Sequence, residues 1–418
     1  VRKVDQIFKQ PSIRDAIVKA MGQAHYNDMV NVLTSVAGAH IVDKPTGPVK
    51  ALQWARMNTT IAVMGWNLRS VLSQPFGLYQ SIARIGEWAT IDGVVEFYMN
   101  PIQMREKIRQ IHAKSEYMRD RSRTMTREIE ETLNAINPPN ISDTLVKVAF
   151  APMILTDVYG VAGPTWLGAY NKALAGKVEN IEAGNEIDAV RFADAAVRQS
   201  QGSGGALNLS NIQQQGETKK LLTMFYGYFN TTYNMMAEAV EKSRLDGGVK
   251  GASHLAAQTM YLIILPAIMG GLMLEKWPDE EDTDEDPEKA WLKWSMIQIF
   301  NYATGTLVLG RDVGRALTSG FDFSLTPITG FFGNMSKFVV DAGKIAMDYY
   351  EDGELEDGIP DSAVKNAGRF FGTLMKIPGA FQMVKMVDTW MKMEEGELKN
   401  EPRNELERIQ KLLFTGDR

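Results

Sequence analysis

Residues 255–274 form an uncharged run of twenty amino acids, and this run limits what the chain can fold into. At a rise of 1.5 Å per residue, a helix of this length is about 30 Å long, which matches the hydrocarbon core of a bilayer. Pro266, Gly270 and Gly271 are tolerated in such a helix when neighbouring helices satisfy the freed backbone groups. The run predicts one long apolar helix that either enters a membrane or lies inside a protein core.

A second, weaker apolar segment covers residues 291–310 and contains Lys293. Acidic residues at 279–286 separate the two segments, and charges of this density stay outside a bilayer. Tryptophans at the ends of both segments are typical of membrane interfaces. We therefore expect a helical hairpin with an acidic tip, and its candidate membrane or hairpin residues are Leu255, Tyr261, Ile264, Pro266, Gly270, Gly271, Leu274, Trp277, Trp291 and Trp294.

Apolar residues recur at spacings of three and four along nearly the whole chain, and no stretch alternates as a strand does. The sequence therefore predicts an all-α fold, an elongated assembly of many helices without a substantial β-sheet. Composition divides it into four regions. They are an N-terminal helical region (1–140), a central helical region (141–250) with a Gly/Ser connector near 201–205, the apolar hairpin with its acidic loop (251–340), and a C-terminal helical tail (341–418).

Residues 101–133 are rich in arginine and lysine and predict one basic amphipathic helix. Its inner face would consist of Met104, Ile108, Ile111, Met118 and Met125. The basic side chains, Arg121 and Arg127 among them, either lie on a solvated face or contact anionic lipid or the DNA backbone. The candidates for such a contact are Arg105, Arg109, Arg119 and Arg123.

Composition and motifs exclude several classes of chemistry. The chain has no cysteine, which removes thiolate zinc sites, disulfides and cysteine nucleophiles, and its four histidines are not at metal-ligand spacing. A net charge of -6 argues against a general nucleic-acid binder. Phosphate-binding loops and nucleophile or zinc motifs are missing from the sequence. We therefore expect no catalytic, cofactor-binding or metal-binding residues in this chain.

Residues 311–327, which follow the second apolar segment, read RDVGRALTSGFDFSLTP. Asp312 suits a helix start, where the positive end of the helix dipole favours an acid, and residues 324–327 predict a turn. The residues that mark this signature are Arg311, Asp312, Gly320, Ser324 and Pro327.

Several stretches, taken in order, resemble the C-terminal region of the large internal virion proteins, or ejection proteins, of short-tailed bacteriophages. They are similar to the large polyvalent proteins of phages. The resemblance covers about residues 50–418, and its stretches are residues 65–70, 74–78, 166–170, 198–201, 221–230, 311–327, 372–379 and 412–414.

The resemblance implies a structural protein that is packed inside the capsid near the portal and ejected to help form a conduit through the host envelope. Its implied partners are other ejection proteins, the portal or internal core of the virion, further copies of itself, the host inner membrane, and phage DNA through non-specific contact. Because the chain begins at Val1, we expect a fragment of a longer polypeptide without a signal peptide. The alternative is a non-catalytic scaffold region of an injected polypeptide that carries a peptidoglycan-cleaving transglycosylase or a virion RNA polymerase elsewhere.

Overall fold

The computed structural model confirms the all-α prediction. All regular secondary structure in the residues that it describes is helical, and none of them lies in a strand. The described residues are 7–8, 10–23, 26–27, 29–30, 33, 47–135, 141–205, 209–210, 213, 216–224, 226–274, 286–307, 337, 340–341, 361–375, 377–398, 401–402 and 405–415.

The described part of the first half contains α1 (Pro11–Met21), α2 (Gly47–Met64), α3 (Leu68–Ser73), α4 (Gly77–Ile85), α5 (Glu87–Tyr98), α6 (Met104–Lys114), α7 (Glu116–Thr124), α8 (Arg127–Ala135), α9 (Ile141–Leu155), α10 (Gly163–Leu174) and α11 (Glu186–Ser200). The described part of the second half contains α12 (Glu217–Leu222), α13 (Gly227–Asp246), α14 (Gly248–Thr259), α15 (Leu265–Leu274), α16 (Pro287–Gly305), α17 (Asp361–Leu374), α18 (Ala380–Glu395) and α19 (Glu405–Gln410). Short 3₁₀ and π turns connect some of them, at Gln74–Phe76, Pro101–Gln103, Thr156–Ala162, Met260–Ile264 and Lys411–Thr415.

The largest hydrophobic core surrounds α10. Trp166 is almost fully buried and stacks on Tyr170, with the ring centroids 5.0 Å apart. Small residues of α11, among them Ala189 and Ala193, let this helix approach α10 closely. The core joins helices from both sides of residue 140, and its buried members include Ile85, Phe97, Ile108, Ile111, Met118, Val158 and Val197.

Helices α5 and α10 cross with their backbones in contact. A Cβ atom on Gly93 would lie 2.3 Å from the carbonyl oxygen of Pro164. A Cβ atom on Gly168 would lie 2.1 Å from the carbonyl oxygen of Ala89. No side chain fits at either position, so the crossing requires glycine on both helices.

The basic segment folds into three helices, so the prediction of a single helix over residues 101–133 is wrong. Ser115 interrupts it with an extended backbone, and its hydroxyl accepts the amide hydrogen bond of Met118 at 2.9 Å, which caps α7. Four of the five predicted inner-face residues, Ile108, Ile111, Met118 and Met125, are buried, and Met104 is half-buried against the same core. Arg121 and Arg127, which the sequence places with the exposed basic residues, are buried as well.

The two apolar segments lie side by side as the sequence predicts. Helix α14, the π turn Met260–Ile264 and α15 form one continuous apolar helix, Gly248–Met273. It packs against α16, where Gly271 faces Trp294 and Gln298 closely enough that a Cβ atom would lie within 3 Å of both. Of the acidic tip, only Asp286 is described, and its side chain accepts from the amide of Glu288 and caps α16. Trp277 and the signature residues Arg311, Asp312, Gly320, Ser324 and Pro327 lie outside the described residues.

Candidate functional site: a polar cavity against the apolar hairpin

A cavity of about 550 Å³ lies between the helices that precede residue 230 and the apolar hairpin. Its polar wall comes from α3, α4, α7 and the segment that follows α11. Its apolar wall comes from α15, where Pro266, Ala267, Gly270 and Gly271 line it. Four of the stretches that carry the sequence resemblance contribute residues to the lining. Stretch 65–70 contributes Arg69 and Ser70, and stretch 74–78 contributes Gln74, Phe76 and Gly77. Stretch 198–201 contributes Gln201, and stretch 221–230 contributes Gly227, Tyr228 and Phe229.

The first wall depends on a tight reversal between α3 and α4. The side chain of Asn67 accepts the amide hydrogen bond of Ser70 at 3.1 Å and caps α3. Pro75 cannot continue a regular helix, and the chain forms a 3₁₀ turn at Gln74–Phe76. Gly77 then starts α4 in contact with the side-chain amide of Gln201.

Residues 201–204 are fixed in place, although their Gly/Ser composition is typical of a connector. The amide nitrogen of the Gln201 side chain donates to the carbonyl of Gly77 at 3.0 Å and to the hydroxyl of Ser81 at 2.9 Å. The backbone amide of Gly204 donates to the carbonyl of Thr124 at 2.6 Å. A side chain at Gly204 would collide with the backbone of Thr126. The segment therefore forms a wall of the cavity.

A buried ion pair lies at the base of the cavity. Arg121 donates to both carboxylate oxygens of Asp157, at 2.8 and 2.9 Å, and to the carbonyl of Gly202 at 2.9 Å. Both side chains are at most 4% exposed. Burial by itself lowers the pKa of Arg121, but the carboxylate of Asp157 more than offsets this, and the pKa stays above its usual value. The arginine is therefore permanently charged.

A second, partly buried network joins α2, α8 and α12 around the buried Arg56. Arg56 is 2.8 Å from a carboxylate oxygen of Glu217 and 2.6 Å from one of Glu131, and Lys220 donates to the other oxygen of Glu131 at 2.7 Å. Burial raises the pKa of Glu131, but Arg56 and Lys220 lower it by more, so the net shift is downward. Two cations face two carboxylates here, and the network is balanced in charge.

The carboxylates that line the cavity are already bound to arginines. Asp157 is paired with Arg121, and Glu128 accepts from Arg127 at 2.7 Å. Beside them, burial raises the pKa of Tyr228 to about 12, and its hydroxyl lies 2.9 Å from that of Tyr302. Within the described ranges, no group of His, Asp and Glu side chains is arranged to hold a metal ion. Because the cavity has one polar and one apolar wall, it can accept a molecule that carries both polar and apolar groups.

The structure brings the predicted hairpin residues to different surroundings. Pro266 is buried, and Gly271 is buried against α16, whereas Trp291 is exposed and meets Trp294 edge to face at 5.5 Å. Tyr261 donates a hydrogen bond to Glu87. Five of the predicted hairpin residues are half-buried, namely Leu255, Tyr261, Ile264, Gly270 and Trp294. The backbone of Leu274 belongs to α15, but its side chain is outside the described part.

Three of the four predicted lipid- or DNA-contacting arginines are exposed on α6 and α7. Arg105 is exposed, and Arg109 and Arg119 are exposed with an ion pair to Glu106 and Glu116, respectively. The backbone of Arg123 belongs to α7, but its side chain is outside the described part.

Sequence reasoning missed the buried ion pair, although two signals were present. Arg121 shares a helical face with Met118 and Met125, because spacings of three and four residues lie on one side of a helix. Asp157 is a lone acid in the otherwise apolar stretch from 148 to 162. A lone charge on an apolar face indicates a buried partner, since an unpaired charge would be costly there.

We expect the stability of the folded protein to depend on pH through Glu130. Burial, and then the neighbouring Glu131, raise the pKa of Glu130 from 4.5 to about 7. The folded protein then holds this proton more tightly than the unfolded chain does, so stability falls as the pH rises through this window. Glu130→Gln should therefore gain stability relative to the parent by about 1 kcal/mol above pH 7, a value reduced from the full shift because the carboxylate is only partly buried.

Urea unfolding at a series of pH values measures this difference. Glu182→Gln, at an exposed position, is the control and should show no such gain. A stability difference between Glu130→Gln and the parent that stays constant from pH 4.5 to 8 would contradict the assignment.

Comparisons of the chain with protein-family models, with curated proteins and with solved structures find no match. The sequence resemblance and the exposed apolar surfaces are therefore the observations from which a function is inferred.

Proposed function

We propose that this chain is a non-catalytic structural segment of a phage ejection protein. In this proposal it is packed near the portal, leaves the capsid with other ejection proteins, and assembles with copies of itself into part of a conduit through the host envelope. The order of the sequence stretches that resemble this family motivates the proposal, and the surface of the apolar helix supports it.

The observation that carries the proposal is the solvent exposure of the apolar helix Gly248–Met273. By length and composition it is the one helix in the described ranges that could cross a membrane. Only 28% of its most apolar window is buried. The core helix of a soluble protein passes the same test of composition, but it is mostly buried. This helix leaves Met260 and Met269 exposed, so it needs a cover that the described residues do not supply.

Helix α16 has a second uncovered face beside it. Leu292, Met296 and Phe300 are exposed at intervals of four residues, which places them on one side of the helix. Exposed apolar surface of this extent marks contact with a partner or a membrane. In the proposal, copies of the chain or the lipid around them cover both helices.

Vesicle leakage tests the proposal. The purified chain is mixed with phosphatidylethanolamine and phosphatidylglycerol vesicles that contain a dye, and protease protection of residues 255–274 is measured in parallel. We expect dye release and protection. Met260→Asp should strongly reduce both, because a charge near the centre of a spanning helix costs roughly 2.5–3.5 kcal/mol.

Val249→Asp is the matched control, because this exposed residue lies at the end of the same helix, where a charge can reach water. Vesicle-bound protein should also form oligomers with a central lumen in electron micrographs. Intact vesicles together with digestion of residues 255–274 would contradict the proposal. A protein that stays monomeric on vesicles, without a central lumen, would contradict it as well.

A further inference from the structure

The buried side of helix α5 carries small residues together with Phe97, and its opposite side carries large apolar residues. Ala89 and Gly93 face α10, where the two backbones touch. The opposite side carries large side chains at spacings of three and four residues, and they continue past the end of the helix. These residues, which we call the α5 stripe, are Trp88, Ile91, Val95, Met99 and Ile102.

The α5 stripe is unusually exposed for apolar side chains of this size. Trp88 is 76% exposed, Met99 78% and Ile102 93%. Single exposed apolar residues are common on soluble proteins, but a contiguous stripe that includes tryptophan marks an interaction surface. The close crossing of α5 and α10 at Gly93 and Gly168 is the small-residue packing that is also common between helices in membranes.

The α5 stripe adjoins the helix that carries the proposed function. The side-chain amide of Gln258 donates to the carbonyl of Ala83 at 3.0 Å, and the hydroxyl of Tyr261 donates to Glu87. Glu87 precedes Trp88 directly, and Tyr261 follows the exposed Met260. The stripe and the uncovered helix Gly248–Met273 therefore meet at this hydrogen bond.

Charge and length specify how α5 would meet a bilayer. A helix of 12 residues is about 18 Å long, too short to span a hydrocarbon core of about 30 Å. Beyond the stripe, Arg105 and Arg109 extend from α6, and both are exposed. Asp92 and Glu96 lie to one side of the stripe, where they can stay in water.

We propose that, when the chain first binds a phospholipid bilayer and before helix Gly248–Met273 crosses it, α5 lies in the headgroup layer parallel to the membrane surface, with the exposed side of that helix next to it. The α5 stripe enters the boundary between headgroups and acyl chains, and Arg105 and Arg109 bind lipid phosphates. This proposal rests on the proposed function, which supplies the premise that the chain binds a membrane. It adds a second membrane-contacting surface, formed by other residues.

Flotation of the full chain with phosphatidylethanolamine and phosphatidylglycerol vesicles tests the α5 stripe. Val95→Glu should lower the partition coefficient by about tenfold, since it removes one apolar side chain from the boundary and adds a charge. Val148→Glu is the matched control, because Val148 is 49% exposed and Val95 is 53% exposed. It should leave partitioning unchanged. Both positions are on the surface, and circular dichroism verifies that the variants fold.

The result separates this inference from the proposed function. If Val95→Glu binds vesicles as the parent does while Met260→Asp does not, the stripe is not a lipid surface and the proposed function stands. If the parent itself does not bind, both fail. If Val95→Glu instead dissociates an oligomer in light scattering without changing vesicle binding, the stripe binds a second copy of the chain and the lipid assignment is overturned. Arg105→Gln with Arg109→Gln should weaken binding only to vesicles that contain phosphatidylglycerol.

Discussion

Asp157→Asn should lower the free energy of unfolding by about 3–5 kcal/mol, measured by equilibrium unfolding in urea. Asn has nearly the shape of Asp, so the change removes the charge and leaves Arg121 buried without its counter-ion. The guanidinium also loses one of its two carboxylate acceptors, because an amide group offers a single oxygen. Since whole domains are stable by only about 5–15 kcal/mol, this variant is close to the limit of folding.

Two further variants show that the loss comes from an uncompensated charge. Arg121→Met combined with Asp157→Leu removes both partners and should be more stable than Asp157→Asn, because no charge remains buried. Glu116→Gln breaks the exposed pair with Arg119 and should change stability by less than about 0.5 kcal/mol. If Asp157→Asn is as stable as Glu116→Gln, the pair at the base of the cavity is not buried as described.

Gly168→Ala should destabilise the protein by about 3 kcal/mol. The added Cβ atom would lie 2.1 Å from the carbonyl oxygen of Ala89, a backbone atom that cannot rotate away. Replacing glycine by alanine inside a helix normally stabilises it by up to about 1 kcal/mol. The collision is larger than this gain, because the two helices must separate to relieve it.

The matched control for this prediction is Gly227→Ala, which starts α13 with no atom within 4 Å of the added Cβ. It should be neutral or slightly stabilising in the same thermal or urea unfolding experiment. Equal stability of the Gly168→Ala and Gly227→Ala variants would mean that α5 and α10 are farther apart than the structure places them.

The sequence was sufficient for the features that depend on neighbouring residues. Helical periodicity predicts the helices and the buried positions Ile108 and Met118. The interruption at Ser115 was missed, because basic residues on both sides continue the amphipathic pattern and only the capping tendency of serine indicates a new helix start.

The cavity could not be predicted in the same way. Its walls come from residues more than a hundred positions apart, such as Gly77 with Gln201, whose side chain crosses to the backbone of α4. Periodicity carries no information about which helices meet. The sequence shows that Asp157 is a lone acid in an apolar stretch, but the identity of its partner, Arg121, depends on how α7 and the π turn Thr156–Ala162 pack.

The anchoring of residues 201–204 has a mechanical consequence. A glycine- and serine-rich segment usually acts as a hinge, about which the parts on either side rotate freely. Here a rotation would have to break the bonds from Gln201 to Gly77, from Arg121 to Gly202 and from Gly204 to Thr124 at the same time. The segment therefore transmits force between the helices before and after it. A pull on Gly202 would be carried through Arg121 to the buried ion pair.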